Sequence, residues 1–132
     1  MTSLSTASST PARLAVLRKR ADFLNANHGL RVARPGFVLL VAPGAAMPDA
    51  IRYGITVTKR IGNAVVRNRM KRRFRALLRE LLPAHGVAGA DHVLIGRAGG
   101  IERDFALLQS ELTAALARAA AGKGDRARRP RS

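Results

Sequence analysis

The sequence predicts an α+β sandwich with elements in the order αββαβα, a small mixed sheet packed on helices. Three observations carry this. Apolar residues recur at helical spacing from Val66 to Leu81. Residues 51–58 alternate apolar and accessible with a period of two. Gly and Pro separate these segments from further apolar stretches on either side.

The first helix occupies the second half of Pro11–Asn27, with Ala21, Phe23 and Leu24 as apolar contacts and Gly29 as its stop. Pro11 suits a first helical position, but residues 11–18 are equally compatible with extended chain. Gly36–Ala42 is a short apolar run (Phe37 to Val41) that fits a strand, and Pro43–Pro48 is loop. Ile51, Tyr53, Ile55 and Val57 then alternate with Arg52, Gly54, Thr56 and Thr58, a strand with one buried and one accessible face. These two strands read as an antiparallel hairpin with a long connection. Gly62 and Asn63 turn the chain, Asn63 as the N-cap, and a helix runs from Ala64 until Pro83 forbids another turn. Val93, Leu94 and Ile95 make a third strand, broken by Gly99 and Gly100. Glu102 and Asp104 suit the first turn of a last helix that carries Phe105, Leu108, Leu112, Ala115 and Leu116 inward.

At 132 residues the chain predicts one domain, placed at 11–121. The Ser/Thr-rich residues 1–10 and the basic residues 122–132 lack the apolar content to order themselves and are predicted to be disordered tails. No cysteine is present, which excludes disulfides and thiolate metal sites. No secretory h-region follows Met1 and no run is long enough to span a bilayer, so the expected location is the cytoplasm, away from membranes.

The formal charge is +16, from 24 basic and 8 acidic residues, and it calls for an anionic partner. Lys59–Arg79 holds nine basic residues and no acidic one. Placed at 100° intervals, Val66, Met70, Phe74, Leu77, Leu78 and Leu81 fall on one stripe, with Asn68, Lys71, Arg72, Arg75 and Arg79 opposite. Arg67 and Lys71 flank the stripe on one side, Arg69 and Arg73 on the other. A helix face that merely meets solvent mixes signs, because Glu and Lys at helical spacing stabilise each other by about 0.2–0.5 kcal/mol per pair. This one has no acid before Glu80, so its complement is a polyanion. One side is for a protein core, the other for phosphates.

Catalytic groups are not apparent. The histidines, His28, His85 and His92, have no spacing that would bring two together, and the acids are scattered with none on the basic face. No phosphate-cradling loop, dinucleotide fingerprint or His-Glu-x-x-His occurs. The five aromatics, Phe23, Phe37, Tyr53, Phe74 and Phe105, can serve few bases. Phe74, Phe105 and Tyr53 sit on apolar faces, whereas Phe23 lies among Lys19, Arg20 and Asp22 and reads either as helix core or as a stacking ring. Gly54 marks either a bulge or room for a nucleotide backbone. The chain thus reads as an RNA- or DNA-binding protein without a catalytic site of its own, with a structural RNA-binding protein of ribosomal type and a DNA-binding regulator as the other classes.

The run Lys59-Arg60-Ile61-Gly62-Asn63-Ala64-Val65-Val66-Arg67-Asn68-Arg69-Met70-Lys71-Arg72, with Gly54 and Thr56 before it and Asp22-Phe23 far upstream, resembles the bacterial ribonuclease P protein subunit over residues 13–118. The resemblance implies a sheet of the kind seen in ribosomal protein S5 domain 2, with a left-handed βαβ crossover, an exception to the usual hand. It implies a subunit of an endoribonuclease whose RNA removes the 5′ leader of precursor tRNA using magnesium ions held mainly by that RNA, the polypeptide alone being inactive and binding no metal. The implied partners are the catalytic RNA and precursor tRNA, with no obligate protein partner. Lys59, Arg60, Arg67, Asn68, Arg69, Lys71, Arg72 and Arg75 are implied to contact the catalytic RNA, and Lys19, Phe23, Thr56, Arg67 and Lys71 to border the leader. A second aromatic common in the family one turn after Phe23 is replaced by Ala26 or Asn27, and Leu40 stands where some members have Tyr, which implies weaker stacking on the leader.

Overall fold

The computed structural model describes residues 13–43 and 50–124. The expectations for residues 1–10, for a helix start at Pro11, for the loop beyond Pro43 and for the tail beyond Gly124 lie outside these residues.

Five strands form one mixed sheet: β1 (Arg13–Val16), β2 (Leu30–Ala33), β3 (Phe37–Pro43), β4 (Ala50–Thr56) and β5 (Ala90–Gly96), in the order β1-β4-β5-β3-β2. Three helices join them: α1 (Arg20–Ala26), α2 (Ala64–His85) and α3 (Phe105–Ala120). The α+β architecture is as predicted, with two additional strands. Both β1 and β2 are four-residue edge strands, too short for periodicity to reveal. The segment before α1 is therefore extended.

The expected hairpin of β3 with β4 does not form. Strand β5 lies between them, antiparallel to β3 (Leu39 opposite Leu94) and parallel to β4 (Ile55 opposite Leu94). Its residues are buried on both faces apart from a half-buried Ile95, and a strand apolar on both sides takes the centre of a sheet. Helix α2 makes the crossover that parallel β4 and β5 require.

The odd positions of β3 and β4, with Ala90 and Leu94, face α2 and α3 and form the main core with Met70, Phe74, Leu77, Leu78, Leu82, Leu108, Leu112 and Leu116. The opposite face carries a smaller cluster, Leu17, Ala26, Val38, Leu40, Ala42 and Val93, under α1. In α1 only Ala26 is buried and Phe23 is half-buried, while Ala21 and Leu24 are exposed, contrary to expectation. A seven-residue helix lying on a sheet buries one narrow stripe. Helix α2 continues through Pro83 to His85. Pro83 removes only its own N–H donation to Arg79, and both residues are exposed in the final turn, so the ring is accommodated instead of ending the helix. At the end of α3, Gly122 adopts φ +77° while its N–H donates to Ala119 and that of Lys123 to Arg118. This Schellman closure ends α3.

Two buried polar arrangements hold the sheet. Arg52 binds Asp91 through both nitrogens at 2.7 Å, and Asp22 of α1 approaches the same guanidinium at 3.5 Å. Asp91 is 1% exposed, and its bidentate partner is what makes a charge tolerable there. His92, fully buried, accepts from the Val87 N–H through Nε2 at 3.0 Å while Nδ1 faces the Arg52 carbonyl at 3.2 Å. Those two contacts define a neutral, Nδ1-protonated ring.

Arg73, within the basic run, is structural. It donates to the carbonyls of Gly100, Ile101 and Arg103 and lies 5.9 Å from the Phe105 ring centroid, tying α2 to the chain that enters α3. Arg103 in turn binds Glu111 at 2.9 and 2.6 Å.

Arg73→Ala is expected to lower stability by about 1–3 kcal/mol through the unpaired carbonyls, whereas exposed Arg72→Ala should stay within about 0.5 kcal/mol; urea melts of the two variants compare them. Burial holds the His92 imidazole below its ordinary value. The unfolded chain therefore takes a proton near pH 6.5 that the folded one refuses. His92's contribution is complete above that pH and is lost as the pH falls below it, with a slope of up to about 1.4 kcal/mol per unit until the folded ring itself titrates. Melts at pH 7.5 and 5.5 should show a smaller acid loss in His92→Gln than in the unchanged protein.

Candidate nucleic-acid interface

Helix α2 starts cleanly because the Asn63 side chain accepts from the Val66 N–H at 3.0 Å. Its buried residues are Met70, Phe74, Leu77, Leu78 and Leu82, with Leu81 half-buried; Leu82 extends the stripe by one position beyond the one read from spacing. The other side presents Asn68, Arg72, Arg75 and Arg79, all exposed. Exposed Arg69 lies 3.8 Å from Glu102, a weak surface pair. Arg67 is half-buried because its Nε donates to the Gly62 carbonyl at 3.1 Å. Lys59 and Arg60 are exposed on the short 3₁₀ turn Lys59–Ile61 just before the helix. Here they add to the positive potential of the helix N-terminus.

Strand β1 stops opposite Tyr53, so the last three residues of β4 have no neighbouring strand on that side among the described residues. Along this opening, between α1 and α2, run two hollows of about 640 and 540 Å³ that share Phe23, Ile55 and Lys71. Lys71, half-buried, is thus the α2 cation common to both hollows. Thr56 lines the second hollow, with Arg18 and Arg20 on the α1 rim. Lys19, exposed at the N-cap position of α1, borders the rim without lining either hollow. Arg75 and Arg79 line the first hollow. No acidic side chain lines either one.

Phe23 forms the waist of the groove, and Gly54 explains how. A Cβ on Gly54 would sit 2.5 Å from Cε1 and Cζ of the Phe23 ring. The missing side chain of Gly54 therefore receives the ring and leaves no space for a nucleotide backbone, which corrects one of the two readings of this glycine. Phe23 is partly core, against the cluster of Leu17 and Ala26, and partly groove wall. Ala26 and Leu40 are buried in that cluster and offer no ring to the groove. Tyr53 reaches the first hollow but is 7% exposed. The Asp22–Arg52–Asp91 arrangement fixes α1 over the sheet one residue from Phe23. Sequence spacing could not find Arg18, Arg20 and Arg79 as groove residues, since a tertiary hollow selects them.

Among the described residues no group of three or more His or acidic side chains is placed to hold a metal ion. His28 and His85 are exposed, and both nitrogens of His92 are engaged. No helix among the described residues is long and apolar enough to cross a membrane.

The family model described as Ribonuclease P matches residues 12–120. The chain is 70% identical over 117 residues to the ribonuclease P protein component of Erythrobacter litoralis, covering 89% of this chain and 95% of that one. Among solved structures, the RNase P protein of Staphylococcus aureus superposes with a TM-score of 0.66 at 30% identity, covering 79% of this chain and 94% of that one. The RNase P protein of Thermotoga maritima gives a TM-score of 0.66 at 30% identity, with coverages of 77% and 94%. With its fold, its basic helix and nearly all of its described length accounted for in this way, the chain belongs to the ribonuclease P protein family.

Proposed function

We propose that this chain is the protein subunit of a ribonuclease P, binding a catalytic RNA and the single-stranded 5′ leader of precursor tRNA, and that the pair removes the leader to give the mature tRNA 5′ end. The observation that carries this reading is the groove: a continuous, acid-free channel along an open strand edge, with Phe23 at its waist and cations on both rims. An extended single strand needs a positive channel and a few ring faces, and this supplies both. Lys59, Arg60, Arg67, Asn68, Arg69, Lys71, Arg72 and Arg75 present charge and hydrogen-bond donors to the catalytic RNA, and Lys19, Phe23, Thr56, Arg67 and Lys71 border the leader.

Four acids of the described chain are engaged in protein contacts, Asp22 and Asp91 with Arg52, Glu111 with Arg103 and Glu80 with Gln109, while Glu102 and Asp104 are exposed before α3. Magnesium ions held by the RNA would supply Lewis-acid activation of water and of the scissile phosphate. The protein's own part is to hold the leader extended. Its place is the cytoplasm, where precursor tRNA is made. A ribosomal-type structural RNA-binding protein would share the basic helix, but would have no use for an open, acid-free groove with a ring at its waist.

The purified protein alone is expected to leave precursor tRNA intact, and addition of the cognate catalytic RNA with magnesium to give cleavage. Activity that copurifies with RNA-free protein through successive columns would contradict this. Phe23→Ala should lose roughly 1–3 kcal/mol of affinity for precursor tRNA in the holoenzyme, with mature tRNA bound as before. Gly54→Ala should show the same selectivity, because its methyl displaces the ring. An equal loss for both tRNA forms would assign Phe23 to the core alone.

A further inference from the structure

The groove does not end at Phe23. Beyond the ring it opens into the larger hollow, about 640 Å³, bounded by Leu14 and Val16 of β1 and by Lys71, Arg75 and Arg79 of α2. The three cations are spaced i, i+4, i+8, so each lies about 6 Å further along the helix axis than the last, comparable to the separation of successive phosphates in an extended strand. All three line one hollow without an acid between them. Across from them Val16, 48% exposed, presents an apolar side chain in a chain of net charge +16. An apolar edge facing a row of cations suits a nucleotide whose base packs on one side while its phosphates are held on the other.

We infer that this β1-side hollow is a second nucleotide subsite of the leader channel, in which Arg75 and Arg79 hold successive phosphates and Leu14 and Val16 carry the intervening ribose and base. The inference rests on the leader-binding reading above; it adds Arg79 and the β1 edge to the channel and takes Arg75, given above to the catalytic RNA, as a leader contact. Beyond the Phe23 ring at its mouth, the other ring lining the hollow is that of Tyr53, 7% exposed. Binding there depends on charge and shape, tolerates any base, and is sensitive to salt. The Phe23 waist, by contrast, acts through stacking and responds little to salt.

The experiment uses the holoenzyme reconstituted from full-length protein and catalytic RNA, with precursor tRNAs whose leaders increase one nucleotide at a time. In the unchanged protein, affinity rises in two steps, one for each part of the channel. Arg79→Ala is expected to remove only the step assigned to the β1-side hollow, a loss of up to about fivefold. It should also lower the slope of log affinity against log salt by about 0.7–1 for the long-leader substrate alone. Phe23→Ala should remove the other step. Val16→Glu, which places a negative charge in the hollow without touching α2, should repeat the Arg79 effect. A loss of equal size for leaderless tRNA, or weakened assembly with the catalytic RNA, would give this side of α2 to the catalytic RNA and overturn the subsite. Normal two-step behaviour in both variants would overturn it as well. An unchanged protein whose affinity ignores leader length would instead overturn the leader-binding reading itself.

Discussion

A helix with cations on three of its sides and no acid within its first four turns repels itself, and its formation depends on what it buries. In α2 that is Met70, Phe74, Leu77, Leu78 and Leu82, each at most 2% exposed. Fully burying such side chains stabilises by about 1.5–3 kcal/mol each relative to leaving them in water, against a few tenths of a kcal/mol for each like-charge pair at helical spacing. Burial wins by a wide margin. The core can therefore hold a row of cations in fixed register along the groove, so α2 is both the central wall of the core and the charged wall of the channel.

The division of charge across the molecule follows from the same constraint. Four of the described acids serve the scaffold. Asp91 and Asp22 secure Arg52 under α1, Glu111 secures Arg103 at the start of α3, and Glu80 meets Gln109. Arg73, although part of the basic run, turns back to cap three carbonyls. The cations left over, on α2 and on the chain entering α1, line the channel or ring its mouth. The partner's phosphates complete the electrostatics that the fold leaves open.

Much of this was legible in the sequence, for reasons that are local. The α2 stripe, the Asn63 cap, the alternation of β4 and the inward face of α3 all come from period and from side-chain chemistry acting over a few residues. The identity of the cations and their run without acids needed no structure. Phe23 was singled out because an aromatic among Lys19, Arg20 and Asp22 has no neighbour in sequence to bury it. The edge strands β1 and β2 were illegible because four residues show no period, and their pairing is decided by β4 and β3, far away in sequence.

By itself the sequence determined that this is a basic α+β protein whose longest helix has one side for a core and one for phosphates, because amphipathic spacing and uncompensated charge act locally. Only the tertiary structure decided which of those charges stay exposed and which turn back onto the protein. Two arginines with neighbouring numbers, Arg72 and Arg73, differ because the loop entering α3 passes within reach of one and not the other. The role of Gly54 was also settled there: a missing side chain matters only through what occupies its place, and the ring of Phe23 arrives from an element 31 positions earlier in the chain. Close contact between distant segments is what local periodicity cannot encode, and the groove is built from such contacts.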